Sequence, residues 1–311
     1  KKDKRVKKMS GVFHKIKKAI VIPHARWSYL NALGFYHGMD DETFLKKQFY
    51  HAMGYELDLQ HPKTFNEKLQ WLKIHNRKPE YTMMVDKYAV RQYIADTIGE
   101  EYLIPLLGVW DDPEQIDFDA LPQQFVLKCN HNSGLGMCIC KDKSRLDLKK
   151  VKQELKKGLQ QDYYLACREW PYKNVKRKIV CEQYMEDANS QELLDYKFMC
   201  FNGKAECIFT CTDRFSPDGL KVTFFDCDWK QLPFERHYPA SRTPIAPPKN
   251  LRKMIELSEI LSENHPFLRV DFYEIAGKIY FGELTFFPGS GYEEFSPFEA
   301  DEQLGKLITC I

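Results

Sequence analysis

The sequence predicts an α+β protein in which a helical N-terminal region precedes two subdomains of mixed helix and strand. Apolar residues recur at helical spacing up to about residue 98, whereas alternating strand patterns dominate after residue 194. A chain of 311 residues can bury a large core divided into two or three subdomains. We place the helical region at residues 1–78, the first subdomain at 79–190 and the second at 191–311.

The composition argues against several classes of protein. The formal net charge is +2, and no long basic stripe interleaved with aromatic residues occurs in the body of the chain, so nucleic acid is not expected as a partner. No apolar run reaches the roughly 18–20 residues that span a bilayer. The ten cysteines form no C-x-x-C pair, and several lie inside predicted strands as small buried hydrophobes. This usage predicts a cytoplasmic protein.

Residues 1–18 are the compositional outlier, with nine Lys or Arg residues and one acid. Apolar residues from Val6 to Ile20 recur at helical spacing and would form one stripe opposite a basic face. Such a helix either lies on an anionic membrane surface or is solvated with its stripe packed on the domain. The first alternative predicts peripheral contact of residues 1–20 with the inner face of the cytoplasmic membrane.

Capping signals and apolar spacing predict three helices before residue 100. Thr64 and Glu67 have the spacing of a capping box, in which each side chain accepts a hydrogen bond from the other residue's backbone. Short strands and one helix follow. The first helix is capped by Asp40 or Asp41 and runs to a stop at Gly54, the second runs from Thr64 through Leu72, and the third from about Asp86 to Ile98 with Gly99 as cap. The strands lie at 124–129, 136–140 and 178–184, and the later helix at 147–159.

The last predicted hairpin carries the strongest chemical signal. Strand alternation places Arg269 and Asp271 on one face of its first strand, and Glu283 and Thr285 on one face of its second. An Asp and a Glu on one surface are costly to bury unless a cation joins them. Hard oxygen ligands of this kind suit Mg²⁺, which completes its octahedron with water and substrate phosphates. The alternative is an ordinary hairpin with solvated acids.

A strand, a small polar loop and a returning strand follow Phe125. Lys128 lies inside the apolar strand and should point at an anion, because a lone buried charge is costly. Gly134 and Gly136 in the loop would let the backbone approach a phosphate. The loop is not a Walker A motif, and the chain has no G-x-G-x-x-G. A surface Lys before a hairpin turn is the alternative, and His131 in this loop either assists or makes one structural hydrogen bond.

Charged residues in two later strands predict contacts to a nucleoside. Glu182 lies in an apolar strand and could accept from an exocyclic amine while the adjacent backbone reads the rest of an adenine edge. Asp195 and Lys197 share one strand face and suit a ribose hydroxyl and a phosphate, and Arg214 adds a cation. The alternatives are an edge-strand Glu and a buried ion pair of Asp195 with Lys197 or Arg214.

The order of these elements resembles the ATP-grasp superfamily, in which two α+β subdomains clasp ATP between them. Within it, the sequence is similar to the teichuronopeptide-biosynthesis (TupA-like) branch over roughly residues 40–305. Members are associated with bacterial cell-surface polysaccharide gene sets, and some are labelled glycosyltransferases. The blocks that carry the similarity are HPKTFNEKLQWLK (61–73), VDKYAVRQYI (85–94), LPQQFVLKCNHNSG (121–134), REWPYKNVKRKIVCEQY (168–184), LLDYKFMCFNGK (193–204) and FGELTFFPGSGYEEF (281–295).

The resemblance implies ATP and Mg²⁺ as cofactors and a set of site residues. Lys87 and Lys128 would reach the α- and β-phosphates, Glu182 the adenine and Asp195 the ribose. Thr285 stands where an Asn is usual in the metal-binding hairpin of the D-alanine–D-alanine ligase type. The implied nucleotide-binding residues are Lys87, Lys128, Ser133, Gly134, Gly136, Glu182, Tyr184 and Asp195; the metal ligands are Asp271, Glu283 and Thr285; the catalytic residues are Arg269, Lys197 and Arg214.

The function implied is an ATP-dependent carboxylate–amine ligase. It would form an acylphosphate on a uronic acid or related carboxylate of a bacterial surface polysaccharide, such as a capsule, and transfer it to an amine. The alternatives are a glycosyltransferase or sugar kinase of polysaccharide biosynthesis, and a non-catalytic nucleotide-binding module. Asp226-Cys227-Asp228 has the form of a nucleotide-sugar motif or of a turn between strands. The usual Rossmann-like domain is absent, so no acceptor site is implied.

Overall fold

The computed structural model of the protein describes residues 23–187, 193–214 and 216–309. Strands in these ranges build two antiparallel sheets and one two-stranded ribbon. The strands are β1 (Leu106–Trp110), β2 (Phe125–Cys129), β3 (Cys138–Cys140), β4 (Ile179–Gln183), β5 (Asp195–Phe201), β6 (Lys204–Thr212), β7 (Lys221–Phe225), β8 (Glu235–Arg236), β9 (Phe267–Ile275), β10 (Lys278–Thr285) and β11 (Phe295–Ser296).

The smaller sheet has the strand order β1-β4-β2-β3, and the larger sheet has the order β10-β9-β5-β6-β7. Every neighbouring pair is antiparallel. Strands β8 and β11 form the separate ribbon. The two sheets fall in the two parts of the chain predicted to be subdomains, but the boundaries at residues 78 and 190 stay predictions.

Helices precede and flank both sheets. The segment 1–20, predicted as a basic amphipathic helix, lies outside the described residues. The helices within them are α1 (Pro23–Ala32), α2 (Asp41–Met53), α3 (Phe65–His75), α4 (Glu80–Val85), α5 (Val90–Thr97), α6 (Leu148–Gln160), α7 (Tyr163–Cys167), α8 (Leu251–Ser262) and α9 (Glu299–Leu307).

The predicted caps of α2 and α3 are confirmed. The Asp40 side chain accepts from the backbone N–H of Thr43, and Gly54 ends α2 in the left-handed conformation with φ of 82°. Thr64 and Glu67 make both hydrogen bonds of the capping box at the start of α3. These local signals fix where the two helices begin, before any tertiary contact is considered.

The third predicted helix starts four residues late. The sequence pattern began it at Asp86, but α5 begins at Val90. Asp86 is extended, and its Oδ1 atom accepts from the backbone N–H of Tyr88 at 2.8 Å and from the Asn130 side chain at 2.8 Å. Asp86 therefore caps the turn that leads into α5, because its carbonyl accepts from the backbone N–H of Val90 at 2.9 Å and its Oδ1 atom also accepts from that of Ala89 at 3.2 Å. Its bond to Asn130 ties this turn to the loop after β2.

Two main hydrophobic clusters follow the two sheets. The larger one joins the large sheet to α3, α5, α8 and α9, and the smaller one joins the small sheet to α6. Strands were predicted to dominate after residue 194, and helix α8 was not predicted. Its residues Met254, Leu257 and Leu261 follow helical spacing and are buried. A third cluster around Trp27 and Phe44 holds α1 and α2 together.

The described segments include no helix with both the length and the apolar composition needed to cross a bilayer. Their nine cysteines are all free thiols. Most of those predicted inside strands are buried, including Cys129, Cys181 and Cys200, whereas Cys138 is half-buried. These side chains act as small apolar core residues.

Candidate functional site

A small cleft lies between the two sheets. The small sheet contributes Lys128 and Glu182, and the large sheet contributes Glu283. The segment that links α4 to α5 adds Lys87, and α5 adds Arg91. The structure therefore brings together residues from the predicted glycine-loop strand, the adenine strand and the metal hairpin.

Lys128 and Glu182 form an ion pair across β2 and β4, with Nζ and Oε2 2.5 Å apart. The anion that Lys128 was predicted to face is thus a carboxylate of the protein itself. Arg91 lies 3.5 Å from the other oxygen of Glu182 and is anchored by the carbonyl of Ile104 at 2.8 Å. Arg91 was not singled out from the sequence, because a polar residue on a short helix gives no local sign of what it faces.

Apolar side chains flank this ion pair on the same face of the small sheet. Ile139 lies directly opposite Val126, which lies opposite Glu182. Directly opposed residues share a sheet face. Ile139 is 50% exposed although it is large and apolar. The sequence did not predict this apolar face. The signal that could have predicted it was the alternation of side chains in Met137-Cys138-Ile139-Cys140.

Lys87 reaches the cleft from the segment between α4 and α5. Its Nζ atom donates to the carbonyl of Asn132, 2.7 Å away, in the loop between β2 and β3. Burial lowers the pKa of Lys87, while the carboxylate of Glu283 acts in the opposite direction and Lys128 adds to the lowering. A polyanionic ligand in the cleft would relieve this repulsion between two lysines.

The glycine loop is held tightly at its base. Gly136 has φ of 71°, and a Cβ atom there would meet Sγ of Cys129 at 2.7 Å and Cα of Gly158 at 2.8 Å. Gly136 therefore serves the close approach of the loop to α6. His131 is buried with Nε2 3.0 Å from the carbonyl of Gln161, which is a structural hydrogen bond. Ser133 and Gly134 form the exposed tip.

Tyr184 lies outside the cleft. It follows β4 and lines a second hollow with Gln123 and Lys141, whose Nζ atom lies 5.4 Å from the centre of the tyrosine ring. A contact between Tyr184 and the nucleotide stays a prediction.

A β-bulge at Gly282 sets the chemistry of the metal hairpin. Phe281 lies opposite Phe272, but the register then shifts and Glu283 lies opposite Asp271. Without the extra residue, Glu283 would oppose Val270, which is fully buried in the core. The bulge therefore turns Glu283 and Thr285 to the face that carries Asp271 and Arg269. The predicted shared face is present, although plain alternation from the turn does not produce it.

The cations that join the hairpin acids are side chains of the protein. Arg269 donates to both oxygens of Asp271 at 2.7 and 2.8 Å and to Glu283 at 2.7 Å. Lys197 lies opposite Asp271 on β5 and contacts it at 2.5 Å. Lys197 also lies 2.8 Å from Asp195, which Arg214 contacts at 2.6 Å. The ion pair of Asp195 with both cations is the alternative that the sequence left open.

This network shifts the pKa values of its members. Burial would raise the pKa of Glu283, but the charges of Arg269 and Lys87 outweigh it and lower that pKa to about 2. Burial would likewise lower the pKa of Lys197, and the Asp271 carboxylate instead raises it above the usual range. Glu283 is thus an anion at every physiological pH.

The hairpin has donor atoms that fit a hard cation. Asp271 Oδ1 accepts one hydrogen bond, from Arg269, and an ionised carboxylate oxygen has two lone pairs. Glu283 is 42% exposed at its side chain, and its Oε2 atom has no partner within the described ranges. No group of three or more His, Cys, Asp or Glu side chains in the described chain converges as a metal site. Two carboxylates suffice for Mg²⁺ when phosphates supply further oxygens.

The Asp-x-Asp motif (226–228) lies in a turn after β7, at the opposite edge of the large sheet from β10. Asp226 Oδ1 accepts from the backbone N–H groups of Asp228 and Lys230 at 3.0 and 2.8 Å. Asp228 pairs with Arg252 at the surface. The motif therefore builds a turn between strands, the second of the two interpretations given above.

Residues 67–309 match the model of a protein family described as TupA-like ATPgrasp. A search of curated proteins finds none that matches the chain. Among solved structures, D-alanine–D-alanine ligase from Helicobacter pylori is similar, with 15% identity and a TM-score of 0.43 over 78% of this chain and 68% of that one. The D-alanine–D-alanine ligase from Bacillus anthracis complexed with ATP has 16% identity and a TM-score of 0.39 over 65% and 53%.

The ATP-grasp ligase PsnB, complexed with a phosphomimetic variant of its minimal precursor, Mg and ADP, has 11% identity and a TM-score of 0.40 over 78% of this chain and 65% of that one. This chain thus spans 53% to 68% of the length of these three ligases.

Proposed function

The chain belongs to the TupA-like ATP-grasp family, as its sequence predicted, and from that membership we propose that it is an ATP-dependent carboxylate–amine ligase. Family membership confirms the ATP-grasp fold and the assignment as an enzyme of that class. The reaction, its substrates and the roles of single residues are proposals, argued below from the contacts of the cleft.

One observation carries the proposal: Lys128 and Glu182 of the small sheet line the same cleft as Glu283 of the large sheet. A ligand between them would touch both predicted subdomains, 79–190 and 191–311. Three cations and two acids line the cleft, and the ion-pair network of the large sheet beside it adds three cations and two acids, which leaves an excess of positive charge for a triphosphate. The cations are Lys87, Arg91, Lys128, Lys197, Arg214 and Arg269, and the acids are Glu182, Asp195, Asp271 and Glu283.

We propose that ATP binds with its adenine on the small sheet. The half-exposed Ile139 offers an apolar surface for the ring, and Glu182 offers a carboxylate for the exocyclic amine. Lys128 and Lys87 lie at the same wall and would contact the phosphates. The exposed tip of Ser133 and Gly134 would donate backbone N–H groups to them, and Asp195 would accept from the ribose.

Asp271 and Glu283 would hold Mg²⁺, with the Thr285 hydroxyl beside them. A bound Mg²⁺ would neutralise phosphate charge and polarise the γ-phosphoryl group. Lys197 and Arg269 hold Asp271 in place from two sides, so its free lone pair has one fixed direction. Arg214 holds Asp195 in the same way.

The first step we propose is attack by a substrate carboxylate oxygen on the γ-phosphorus, with ADP as leaving group. Positioning and electrostatic stabilisation carry such a step, and no nucleophilic side chain is required. An amine then attacks the acyl carbon and phosphate leaves. Arg269 lies between the two hairpin acids and would stabilise the oxyanion of the tetrahedral intermediate.

The substrate class rests on the sequence resemblance. We propose a uronic acid or related carboxylate of a bacterial surface polysaccharide or its precursor, together with an amine acceptor. We also propose that the basic segment 1–20 brings the enzyme to an anionic membrane, where such precursors are assembled. Full-length chain and a variant lacking residues 1–18 should differ in sedimentation with anionic vesicles, and equal sedimentation would remove this part of the proposal.

Product analysis tests the reaction. The full chain is incubated with MgATP, D-glucuronate and a panel of amino acids, and ADP, phosphate and new masses are measured. Amide formation with ADP and phosphate supports the ligase, and Glu283→Gln is the inactive control. ADP with a phosphosugar would instead identify a kinase. Turnover of UDP-sugars without ADP release would identify a glycosyltransferase. A thermal shift on adding MgATP, with no ATP consumed, would identify a non-catalytic nucleotide-binding module.

A further inference from the structure

A buried carboxylate without a counter-ion lies next to the proposed reaction centre. Glu169 follows α7 and is only 5% exposed. Its Oε1 atom accepts from the Ser290 hydroxyl at 2.5 Å, in the loop after β10. In the described part of the chain no cation contacts Glu169, whereas the buried acids Glu182, Asp195 and Asp271 each contact at least one. An ionised carboxylate is costly to bury without a counter-ion, so this position favours either a proton on Glu169 or a bound cation.

The nearby Lys73 does not supply that cation. Its three N–H groups donate to the side chain of Gln70 at 2.9 Å and to the carbonyls of Cys167 and Ser290 at 3.0 and 2.8 Å. An ammonium has three protons, so none remains for Glu169. Lys73 instead ties the segment before Glu169 to the loop that carries Ser290. Burial raises the pKa of Glu169, an effect that the more distant charge of Lys73 only partly offsets.

Two tyrosines lie beside this carboxylate. The rings of Tyr163 and Tyr172 meet edge to face, with centroids 4.7 Å apart, and both residues are half-buried. Within the described ranges neither hydroxyl has a hydrogen-bond partner. Burial raises the pKa of each tyrosine, and the nearby charges of Glu169 and Glu283 add to that rise. The four side chains therefore adjoin the hairpin rather than a remote surface.

The N-terminal helical region holds this segment in place. Arg168 is 1% exposed and donates to the carbonyls of Tyr36 and Met39 at 2.9 and 3.2 Å. The Asn31 side chain donates to the carbonyl of Ala166 at 3.1 Å. Helix α1 and the turn before α2 thus fix the backbone on both sides of Cys167. This rigid support is what a binding residue at position 169 requires.

We propose that Glu169, Ser290, Tyr163 and Tyr172 form the acceptor subsite of the ligase, and that this subsite binds a primary amine as its ammonium ion. The inference rests on the proposed function, because it names the partner of the acyl phosphate. The ammonium would replace the missing counter-ion of Glu169, and the two hydroxyls would accept or donate to polar groups beside the amine.

The subsite also accounts for the protons of the transfer. The bound ammonium gives one proton to Glu169 Oε2 and becomes a neutral amine. Its nitrogen forms the new bond to the acyl carbon while the bond from that carbon to the phosphate oxygen breaks, and phosphate leaves with the electron pair. The nitrogen then loses its second excess proton to the departing phosphate. Glu169 returns its proton to water.

The test compares amine binding with nucleotide binding in the full chain. Thermal shifts are measured with the Mg²⁺ complex of a non-hydrolysable ATP analogue, then after adding D-glucosamine or its neutral counterpart D-glucose, and glycinamide or acetamide. We expect at least one amine to raise the melting temperature further, and its neutral counterpart to have no effect. Glu169→Gln should abolish the amine shift and keep the nucleotide shift. Glu256→Gln, on the exposed face of α8, is the matched control.

Tyr163→Phe and Tyr172→Phe each remove one hydroxyl and should weaken the amine shift even if Glu169→Gln does not fold. No amine shift in the wild type, or an undiminished shift in all three variants, would overturn the subsite. A wild-type chain that shows no nucleotide shift would instead overturn the proposed function, so the two failures are distinguishable.

Discussion

Lys197 contacts Asp271 at 2.5 Å from the neighbouring strand, and Arg269 holds both oxygens of the same carboxylate. Asp271 is therefore a structural acid as well as a proposed metal ligand. Among the described residues, Arg269 is the one cation in contact with Glu283, which lies directly opposite Asp271 and remains partly open to solvent. The two acids of one site should respond differently to neutralisation.

Asp271→Asn should lower the free energy of unfolding by about 3–5 kcal/mol, because it leaves two buried cations without their carboxylate. Glu283→Gln should change it by less than about 1 kcal/mol, since its side chain is 42% exposed. Both variants should lose Mg²⁺-dependent turnover. Urea unfolding and ADP release measure the two effects. Equal stability losses would contradict the structural role of Asp271.

Lys128→Met should weaken MgATP binding about tenfold to one-hundredfold, because a hydrogen bond to a charged group contributes about 1.5–3 kcal/mol. Within the part of the chain that the structure describes, it also leaves Glu182 with Arg91 as its one cationic neighbour, 3.5 Å away. Lys150→Met is the control, since Lys150 is exposed on α6. Isothermal calorimetry gives both affinities. Unaltered ATP binding in Lys128→Met would remove this residue from the nucleotide site.

Gly282→Ala should destabilise the hairpin by about 1–3 kcal/mol, an amount typical of overpacking. A Cβ atom there would meet the carbonyl oxygen of Asp271 at 3.0 Å and the Tyr273 ring at 3.2 Å. Gly38→Ala is the matched control, because its Cβ atom would meet nothing within 4 Å. Thermal unfolding of both variants measures the difference. Indistinguishable melting temperatures would mean that the bulge relaxes freely.

The buried ammonium group of Lys73 should make the stability of the protein depend on pH. Burial lowers its pKa from 10.5 to about 8 in the folded protein. Between these values the unfolded chain binds more protons, so this residue makes stability rise with pH from about 8 to about 10.5. Lys73→Met removes that dependence. Urea unfolding of both proteins over this range should give a stability difference that grows with pH in favour of the wild type, and a constant difference would exclude the shifted pKa.

Much of the fold could be predicted because its signals are local. The caps of α2 and α3 depend on residues three or four apart, and the strands around Lys128 and Glu182 appear as short apolar runs with one charge. The sequence placed Asp86 at the start of α5, and its carbonyl does accept from the N–H of Val90, but its bond to Asn130, 44 residues away, could not be predicted.

The partners of the site residues needed the tertiary structure. The sequence placed Glu283 near Asp271 by alternation alone, whereas the regular register of the hairpin would have buried it against Val270. The bulge at Gly282 is what brings Glu283 opposite Asp271 despite the regular register of the rest of the hairpin. A single Gly in a strand does not by itself predict a bulge. Arg91 and Glu169 were missed for a related reason, since their neighbours come from distant segments.

The close approach of Gly136 to Gly158 has a mechanical consequence. A Cβ atom on Gly136 would lie 2.8 Å from Cα of Gly158, and one on Gly158 would lie 2.7 Å from Cα of Gly136, so the glycine loop packs directly on the backbone of α6. A crosslinker or partner protein bound to the outer surface of α6 should therefore restrict the loop from a distance, without contacting Ser133 or Gly134 at its tip.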